Sequence, residues 1–209
     1  MIYLQRIVEM KTTKIYSIGH GHKTIEEFIK ELQSFSVQYL LDVRSSPFSK
    51  WATHFNQGSI EHILRNYNIR YVFMGDTIGG RPLDDSYYDE EGFFDYKKMA
   101  ENPDFLAGLS RLVDAQNKGC IVAVMCTETE PSQCHRSKLI GRELFFRHDI
   151  NMQHIIAPNK TIAETDILIN LTNGNWQPYD NLFGIPEPPF FKSRKAYKNE
   201  LTEEYEYYD

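Results

Sequence analysis

The chain has 209 residues, and its composition, 41% hydrophobic and 25% charged, is that of a folded protein rather than a disordered one. Its 23 Lys and Arg residues stand against 29 Asp and Glu residues, for a formal net charge of -6. Six acids and no base lie within residues 84–95, the acidic segment, which accounts for the whole imbalance. The charge therefore argues against a polybasic nucleic-acid binder, which needs excess cations to displace counterions.

The sequence also predicts where the protein works. No apolar run approaches the ~20 residues of a membrane span, and residues 1–11 lack the apolar stretch and cleavage site of a signal peptide. The three cysteines, Cys120, Cys126 and Cys134, are too few for a disulfide framework and fit a reducing compartment. We therefore expect a cytoplasmic protein with no membrane partner.

Short apolar runs, which predict β-strands, alternate along the chain with segments whose apolar residues recur at helical spacing. The predicted strands are residues 14–18, 37–43, 69–74, 120–125 and 150–156, and helices are predicted to begin at Thr24, Ser59, Asn102 and Cys134. This alternation indicates right-handed crossovers and helices on both faces of a sheet. The predicted fold is α/β, a three-layer α/β/α sandwich with a mainly parallel sheet of about five strands.

The predicted organisation is an N-terminal extension at residues 1–13, a core domain at 14–158 and a C-terminal extension at 159–209. The C-terminal extension is expected to contain a helix at 162–171, a proline-containing strap at 173–189 and a tail rich in tyrosine and charge. Such a tail can pack on the domain, stay unfolded or join a second chain. An oligomer formed through it is one expectation.

Polar residues follow the predicted strands at their carboxyl ends, which is where open parallel sheets bind ligands. These residues are His20, Asp42, Arg44, Arg81, Cys126 and Glu128, in chain order. Any parallel sheet has polar loops at this edge, but this set is richer in reactive groups than a plain loop needs. We therefore predict the functional site here.

The segment Cys134-His135-Arg136 opens a predicted helix directly after this edge. Free N–H groups and the macrodipole at a helix N-terminus lower the pKa of a thiol, and a neighbouring arginine acts in the same direction. The pattern predicts a thiolate nucleophile, or an anion pocket in which Arg136 binds a phosphate or carboxylate. For Cys126 taken alone, a small core residue is the better interpretation.

A metal site is the alternative for the same residues. Cys126, Cys134 and His135 are soft ligands for zinc, and Glu128 can complete the set. The Cys-x2-Cys pairs typical of structural zinc are absent, however, and adjacent Cys and His side chains at a helix start point in different directions. We predict no cofactor, with zinc as an alternative that the pattern does not favour.

Asp42 and Arg44 allow two interpretations. They can form a buried ion pair that orients loops, or Asp42 can act as a base while Arg44 binds an anion. The loop from Ser45 to Asn56 contains Trp51, so it can fold over a ligand and stack an aromatic ring on a base. The alternative is a surface loop anchored by its aromatic residues.

The acidic segment follows Arg81 directly. It can compete with anionic ligands for the basic edge, or it can be a solvated loop. The solvated loop is the favoured interpretation.

Five motifs occur in order along the chain. They are Tyr16-Ser-Ile-Gly-His20, Leu41-Asp42-Val43-Arg44-Ser45 with Pro47, Phe55-Asn56, Tyr71-Val72 with Gly79-Gly80-Arg81, and Cys126-x-Glu128-x5-Cys134-His135-Arg136. With them, the chain resembles the bacterial and archaeal family known as domain of unknown function 488, over roughly residues 16–156. The resemblance implies a compact α/β domain but no established activity. The recurrent polar residues of that family correspond to His20, Asp42, Arg44, Arg81, Cys126, Glu128, Cys134, His135 and Arg136. The acidic segment and the aromatic C-terminal extension depart from the family pattern.

These features lead to three hypotheses. The first is an enzyme acting on an anionic substrate, a nucleotide or nucleic-acid component, as a cysteine-dependent hydrolase or transferase. Its catalytic candidates are Cys134, His135, Cys126, Glu128, Asp42 and His20, and its substrate-binding candidates are Arg44, Ser45, Arg81, Arg136 and Asn56. The second is a non-catalytic module that binds a nucleotide or nucleic acid at the same edge. The third is a metal-binding protein that uses Cys126, Cys134 and His135.

Overall fold

The structure is a computed structural model that describes residues 13–176 and 190–197. Its strands are β1 (Ile15–Gly19), β2 (Tyr39–Asp42), β3 (Arg70–Phe73), β4 (Phe93–Asp95), β5 (Val122–Cys126), β6 (Gln153–Ala157), β7 (Lys160–Ala163) and β8 (Lys192–Ala196). Its α-helices are α1 (Ile25–Ser34), α2 (Gln57–Arg65), α3 (Gly75–Ile78), α4 (Tyr96–Ala100), α5 (Pro103–Asn117), α6 (Arg142–His148) and α7 (Glu164–Leu171). A π-helical turn, Arg136–Gly141, precedes α6.

Parts of the predicted extensions lie outside the described residues. These are residues 1–12, residues 177–189 of the predicted strap and the end of the tail from residue 198. The predicted division into core domain and extensions stays a prediction. No helix in the described ranges is long and apolar enough to cross a bilayer.

Six strands form one sheet in the order β3-β2-β5-β1-β6-β7. All neighbouring pairs are parallel except β6 and β7, which run antiparallel. The predicted α/β sandwich with a mainly parallel sheet is confirmed. The sixth strand was not predicted: the chain turns at Asn159, whose φ of 59° lies in the left-handed region that asparagine tolerates, and Lys160–Ala163 pairs back on β6.

Side chains alternate between the two faces of the central strand β5 and divide the core into two layers. Val122 and Val124 pack with residues of α3, α5 and α6 on one face. Ala123 and Met125 pack with residues of α1 and α2 on the other. Because strands buried on both faces need a helical layer on each side, this alternation produces the three-layer arrangement.

The helix starts test the sequence signals directly. Thr24 caps α1 in a reciprocal capping box with Glu27, and Asn102 caps α5 by accepting from two backbone N–H groups, both as predicted. The prediction for α2 was wrong by a few residues, because Asn56 rather than Ser59 stands at its N-cap. The helix predicted from Cys134 begins instead as the π-helical turn and becomes α6 only at Arg142.

The acidic segment is ordered into short turns, but Asp84, Asp85, Glu90 and Glu91 are exposed, so its interpretation as a solvated loop stays a prediction. Asp84, Asp89 and Asp95 each accept hydrogen bonds from nearby backbone N–H groups and so fix successive turns. The segment ends in β4, which pairs antiparallel with β8. Lys192 of β8 donates to Asp89 Oδ2 at 2.6 Å, so part of the acidic charge is compensated within the protein.

Candidate functional site

The carboxyl ends of the three neighbouring strands β2, β5 and β1 carry most of the predicted site residues. His20 N donates to Cys126 O at 3.0 Å, and Val43 N donates to Met125 O at 3.0 Å, so the ladder continues beyond the strand ends. The side chains form two adjacent groups. The thiol cluster consists of Cys126, Glu128, Cys134, His135 and Arg136. The ion-pair group consists of His20, Asp42, Arg44 and Tyr71.

The thiol cluster brings together two sulfurs, a carboxylate and an imidazole. The Cys126 thiol donates to Glu128 Oε2 at 2.8 Å, and Cys134 Sγ lies 3.4 Å from the same oxygen. Cys134 Sγ also lies 3.6 Å from His135 Nδ1. One ligand atom from each of Cys126, Cys134 and His135 lies within 4.8 Å of the others, which is close enough for one metal ion to contact all three. The expected divergence of Cys134 and His135 was wrong.

Arg136 is buried, and its guanidinium contacts Cys134 and Glu128 of this cluster. Its Nε donates to Cys134 Sγ at 3.3 Å, Nη1 to Ser17 Oγ at 3.0 Å and Nη2 to the Glu128 carbonyl oxygen at 2.5 Å. Each nitrogen of the guanidinium thus donates to a protein atom. Substrate binding by Arg136 stays a prediction, whereas its contact with the sulfur is direct.

The two thiols differ in acidity. Burial alone would raise the pKa of Cys134, but the hydrogen bond from Cys126 and the charge of Arg136 lower it well below the ordinary value. The hydrogen bond with Cys134, together with burial, raises the pKa of Cys126. Cys134 is therefore the first of the pair to ionise.

The ion-pair group is saturated by its own contacts. Arg44 binds Asp42 in bidentate fashion, with Nε to Oδ1 at 2.9 Å and Nη2 to Oδ2 at 2.6 Å, and it also donates to the Phe55 carbonyl at 2.7 Å. The Tyr71 hydroxyl donates to Asp42 Oδ2 at 2.7 Å. This geometry favours the interpretation in which a buried pair orients the loop. The roles of Asp42 as a base and Arg44 as an anion ligand stay predictions.

His20 contacts Arg44 within the ion-pair group. Its Nε2 is 3.5 Å from Arg44 Nη1, and its ring stacks on Phe55 with centroids 4.4 Å apart. Burial and the charge of Arg44 lower the pKa of His20 to about 4. The imidazole is therefore neutral near pH 7.

The remaining predicted residues lie around the edge. Ser45 Oγ accepts from Arg81 N at 2.8 Å, and the Arg81 guanidinium lies 4.2 Å from the centre of the Tyr197 ring. Asn56 Oδ1 accepts from Ser49 N at 2.7 Å and so holds the loop. Trp51 is 96% exposed, so its ring does not anchor that loop.

Some residues of the site carried no recognisable signal in the sequence. Ser17, His154 and Glu164 form a buried chain behind Arg136. Tyr96 and Tyr197 lie close enough to Cys126 and Glu128 for these charges to raise their pKa values further, in addition to the larger effect of burial. These groups are far apart in the chain, so only the fold brings them to the site.

Two glycines of the motifs let loops approach the cluster closely. A Cβ atom at Gly80 would lie 2.5 Å from His135 Nδ1, and one at Gly19 would collide with the Glu128 carbonyl. Any larger residue would displace the imidazole or the Glu128 loop. Gly19 and Gly80 of these motifs are thus explained by packing against the thiol cluster.

The fold and the motifs agree with a comparison to known families. The model of the family described as "Domain of unknown function DUF488" matches residues 24–142, which is more than half of the chain and includes the whole thiol cluster. No curated protein and no solved structure was found to match the chain. The chain belongs to the DUF488 family of domains of unknown function.

Proposed function

We propose that the protein is an enzyme whose active centre is the thiol cluster, that this cluster binds a zinc ion, and that the enzyme hydrolyses an anionic, nucleotide-like substrate. The observation that carries the proposal is the convergence of the Cys126, Cys134 and His135 ligand atoms within 4.8 Å, with a Glu128 oxygen beside both sulfurs. Two thiolates and an imidazole are ligands that zinc prefers.

The spacing of the donors suits a tetrahedral ion. Zinc bonds of about 2.3 Å to sulfur and about 2.0 Å to nitrogen or oxygen separate two such ligands by about 3.5 Å in a tetrahedron. Cys134 Sγ lies 3.6 Å from His135 Nδ1 and 3.4 Å from Glu128 Oε2. The 2.8 Å contact between Cys126 Sγ and Glu128 Oε2 is shorter than this separation, so these two atoms would have to move apart by about 0.7 Å.

Burial favours a metal ligand over a free nucleophile. Cys134 is 2% exposed, so its sulfur has little surface with which to attack a substrate. If both thiols ionise, two thiolates and a carboxylate beside a single guanidinium leave an excess of negative charge in a buried place, which a divalent cation would balance. Among the described residues, the buried Nε2 of His135 meets no hydrogen-bond partner, so a water or bound group is needed to satisfy this nitrogen, on the side of the ring away from Nδ1.

The charges around the cluster support an anionic substrate. Lys138 lies within electrostatic range of both Cys134 and Arg194, and Arg81 lies beside Tyr197. Arg81, Lys138 and Arg194 thus place three positive charges near the cluster, and the Tyr197 ring lies against Arg81. A phosphate bound between such cations would place the rest of a nucleotide at the aromatic side chains.

The chemistry follows from three protein ligands and one adjacent acid. Zinc held by three side chains keeps a position for water and lowers the pKa of that water to near 7. Glu128 is placed either to complete the coordination or to accept the proton of the attacking water. The variant Glu128→Gln separates these roles, because a lost ligand weakens zinc binding whereas a lost base abolishes turnover with zinc still bound.

The test of the enzyme uses zinc-loaded protein and a panel of nucleotides and short oligonucleotides, with products separated by chromatography. We expect hydrolysis that stops on chelation and in Glu128→Gln but persists in Cys120→Ser, whose thiol lies outside the cluster. Saturable binding without product would support the non-catalytic module instead. Neither binding nor product with any member of the panel would contradict the proposed substrate class.

A metal-free cysteine nucleophile is the second candidate, favoured by the 3.3 Å contact between Arg136 Nε and Cys134 Sγ. It predicts rapid alkylation of Cys134 by iodoacetamide below pH 7 in protein stripped of metal, with no protection when zinc is added. Strong protection by stoichiometric zinc would favour the metal centre.

A further inference from the structure

A chain of buried polar side chains leads from the thiol cluster into the core. Arg136 Nη1 donates to Ser17 Oγ at 3.0 Å, and Ser17 Oγ lies 2.6 Å from His154 Nδ1. His154 Nε2 lies 2.6 Å from Glu164 Oε2, and Ser137 Oγ donates to Glu164 Oε1 at 2.9 Å. None of these five side chains is more than 1% exposed.

Such a chain is costly unless every member is satisfied, because buried polar groups lose their water. The contacts satisfy every member when Glu164 acts as the acceptor, although burial raises the pKa of this carboxyl well above its ordinary value. Burial and the charge of Arg136 lower the pKa of His154 to about 3, so its imidazole is neutral and has one N–H. With that hydrogen on Nε2, His154 donates to Glu164, Ser17 donates to His154 Nδ1, and Arg136 donates to Ser17.

The local backbone is built to bring the chain together. The π-helical turn places Arg136 and Ser137 on the sheet side, and Gly141 closes the turn where a Cβ atom would collide with the Glu164 carboxylate. π-Helical turns within helices occur frequently at functional sites. Glu164 is the first residue of α7, and His154 lies on β6, so two separate elements support one guanidinium.

We infer that Ser17, His154 and Glu164 are positioning residues that hold the Arg136 guanidinium against Cys134 Sγ. This inference rests on the proposed zinc centre. Arg136 neutralises part of the thiolate charge and fixes the direction of the sulfur, as residues that support metal ligands commonly do. Without Ser17, Nη1 loses its acceptor and the guanidinium can turn away from the sulfur.

The test compares the zinc affinity of Ser17→Ala with that of Thr172→Val, which removes another buried hydroxyl, at the end of α7. Affinity is measured by chelator competition, and the ligand geometry is read from the absorption spectrum of the cobalt-substituted protein. We expect Ser17→Ala to weaken zinc binding about 10-fold or more and to shift the sulfur-to-cobalt bands. Thr172→Val should match the wild type in both measurements.

Glu164→Gln provides a second variant, in case Ser17→Ala fails to fold by circular dichroism. This variant keeps the shape of the side chain but adds N–H donors. We expect it to weaken zinc binding and to shift the cobalt absorption bands, by less than Ser17→Ala does. Equal affinity and equal spectra for the folded variants and Thr172→Val would overturn the inference while leaving the zinc centre intact. A wild-type protein that binds no zinc would instead overturn the proposed function on which the inference rests.

Discussion

Two buried arginines at the same edge have different partners, and their partners determine what they can do. Arg44 faces a carboxylate, so its charge is neutralised by Asp42 and the pair holds the loop through Phe55. Arg136 faces a thiol, a hydroxyl and a carbonyl, so its charge acts on Cys134. The sequence predicts an anion-binding role for Arg136 and leaves Arg44 open between anion binding and a buried ion pair, because the atoms opposite each guanidinium leave no local signal.

Replacing Asp42 tests the role of the buried ion pair. Asp42→Asn leaves the Arg44 charge buried without its carboxylate, so we expect a loss of about 3–5 kcal/mol in the free energy of unfolding. Urea denaturation measures it. Glu61→Gln breaks the pair between Glu61 and the largely exposed Arg65 and should cost under about 1 kcal/mol. Equal losses would show that Asp42 is not structural.

His20 gives stability a pH dependence with a definite sign. Because burial and Arg44 lower its pKa from 6.5 to about 4, the unfolded state binds more protons between these pH values. The free energy of unfolding that depends on a neutral His20 is fully present above pH 6.5 and falls as the pH drops towards 4. The shift in pKa corresponds to about 3 kcal/mol. Urea titrations at pH 4.5 and 7 should show a smaller difference for His20→Gln than for the wild type. The same difference between pH 4.5 and 7 in His20→Gln and the wild type would contradict a lowered pKa for His20.

At the level of elements, local signals predicted five of the six strands of the main sheet, the caps at Thr24 and Asn102 and the presence of helices, since these depend on neighbouring residues. The π-helical turn could not be predicted, because it depends on Glu164 packing against Gly141 from another element. The strand β7 was hidden for a similar reason. The helix predicted at 162–171 includes two residues of this strand, because their pairing with β6 leaves no local signal.

The approach of the loop at Gly80 to His135 provides a test at this level. In Gly80→Ala, the new Cβ atom would lie 2.5 Å from His135 Nδ1, so the imidazole must move and zinc affinity should fall about 10-fold or more. Gly58→Ala is the matched control, because its Cβ atom would meet open space within α2 and should stabilise the fold by about 0.5–1 kcal/mol. Equal zinc affinity in the two variants would contradict the proposed role of His135.

At the level of the whole molecule, the net charge of -6 does not describe the local charge around the thiol cluster. The acidic segment that produces it is folded into turns and the β4–β8 pair, where Lys192 binds Asp89. The cations Arg81, Lys138 and Arg194 lie on the side of the thiol cluster. A local anion site is therefore compatible with an acidic protein, because charge acts over about 10 Å in physiological salt rather than over the whole surface.

The sheet order explains why the site itself could be predicted only in part. Knowing that parallel strands end at one edge was enough to group His20, Asp42 and Cys126. The pairing of β1 with both β5 and β6, which places Ser17 between Arg136 and His154, follows from the tertiary order. Contacts between residues more than a hundred positions apart leave no pattern in a single sequence.

The most direct test of the zinc centre is metal content, measured by mass spectrometry on protein purified without chelator and then titrated with zinc. We predict one zinc ion per chain in the wild type and in Cys120→Ser, and a loss of tight binding in Cys134→Ser. Less than about one-tenth of an ion per chain in the wild type after titration, or equal zinc in Cys134→Ser and Cys120→Ser, would contradict the metal centre.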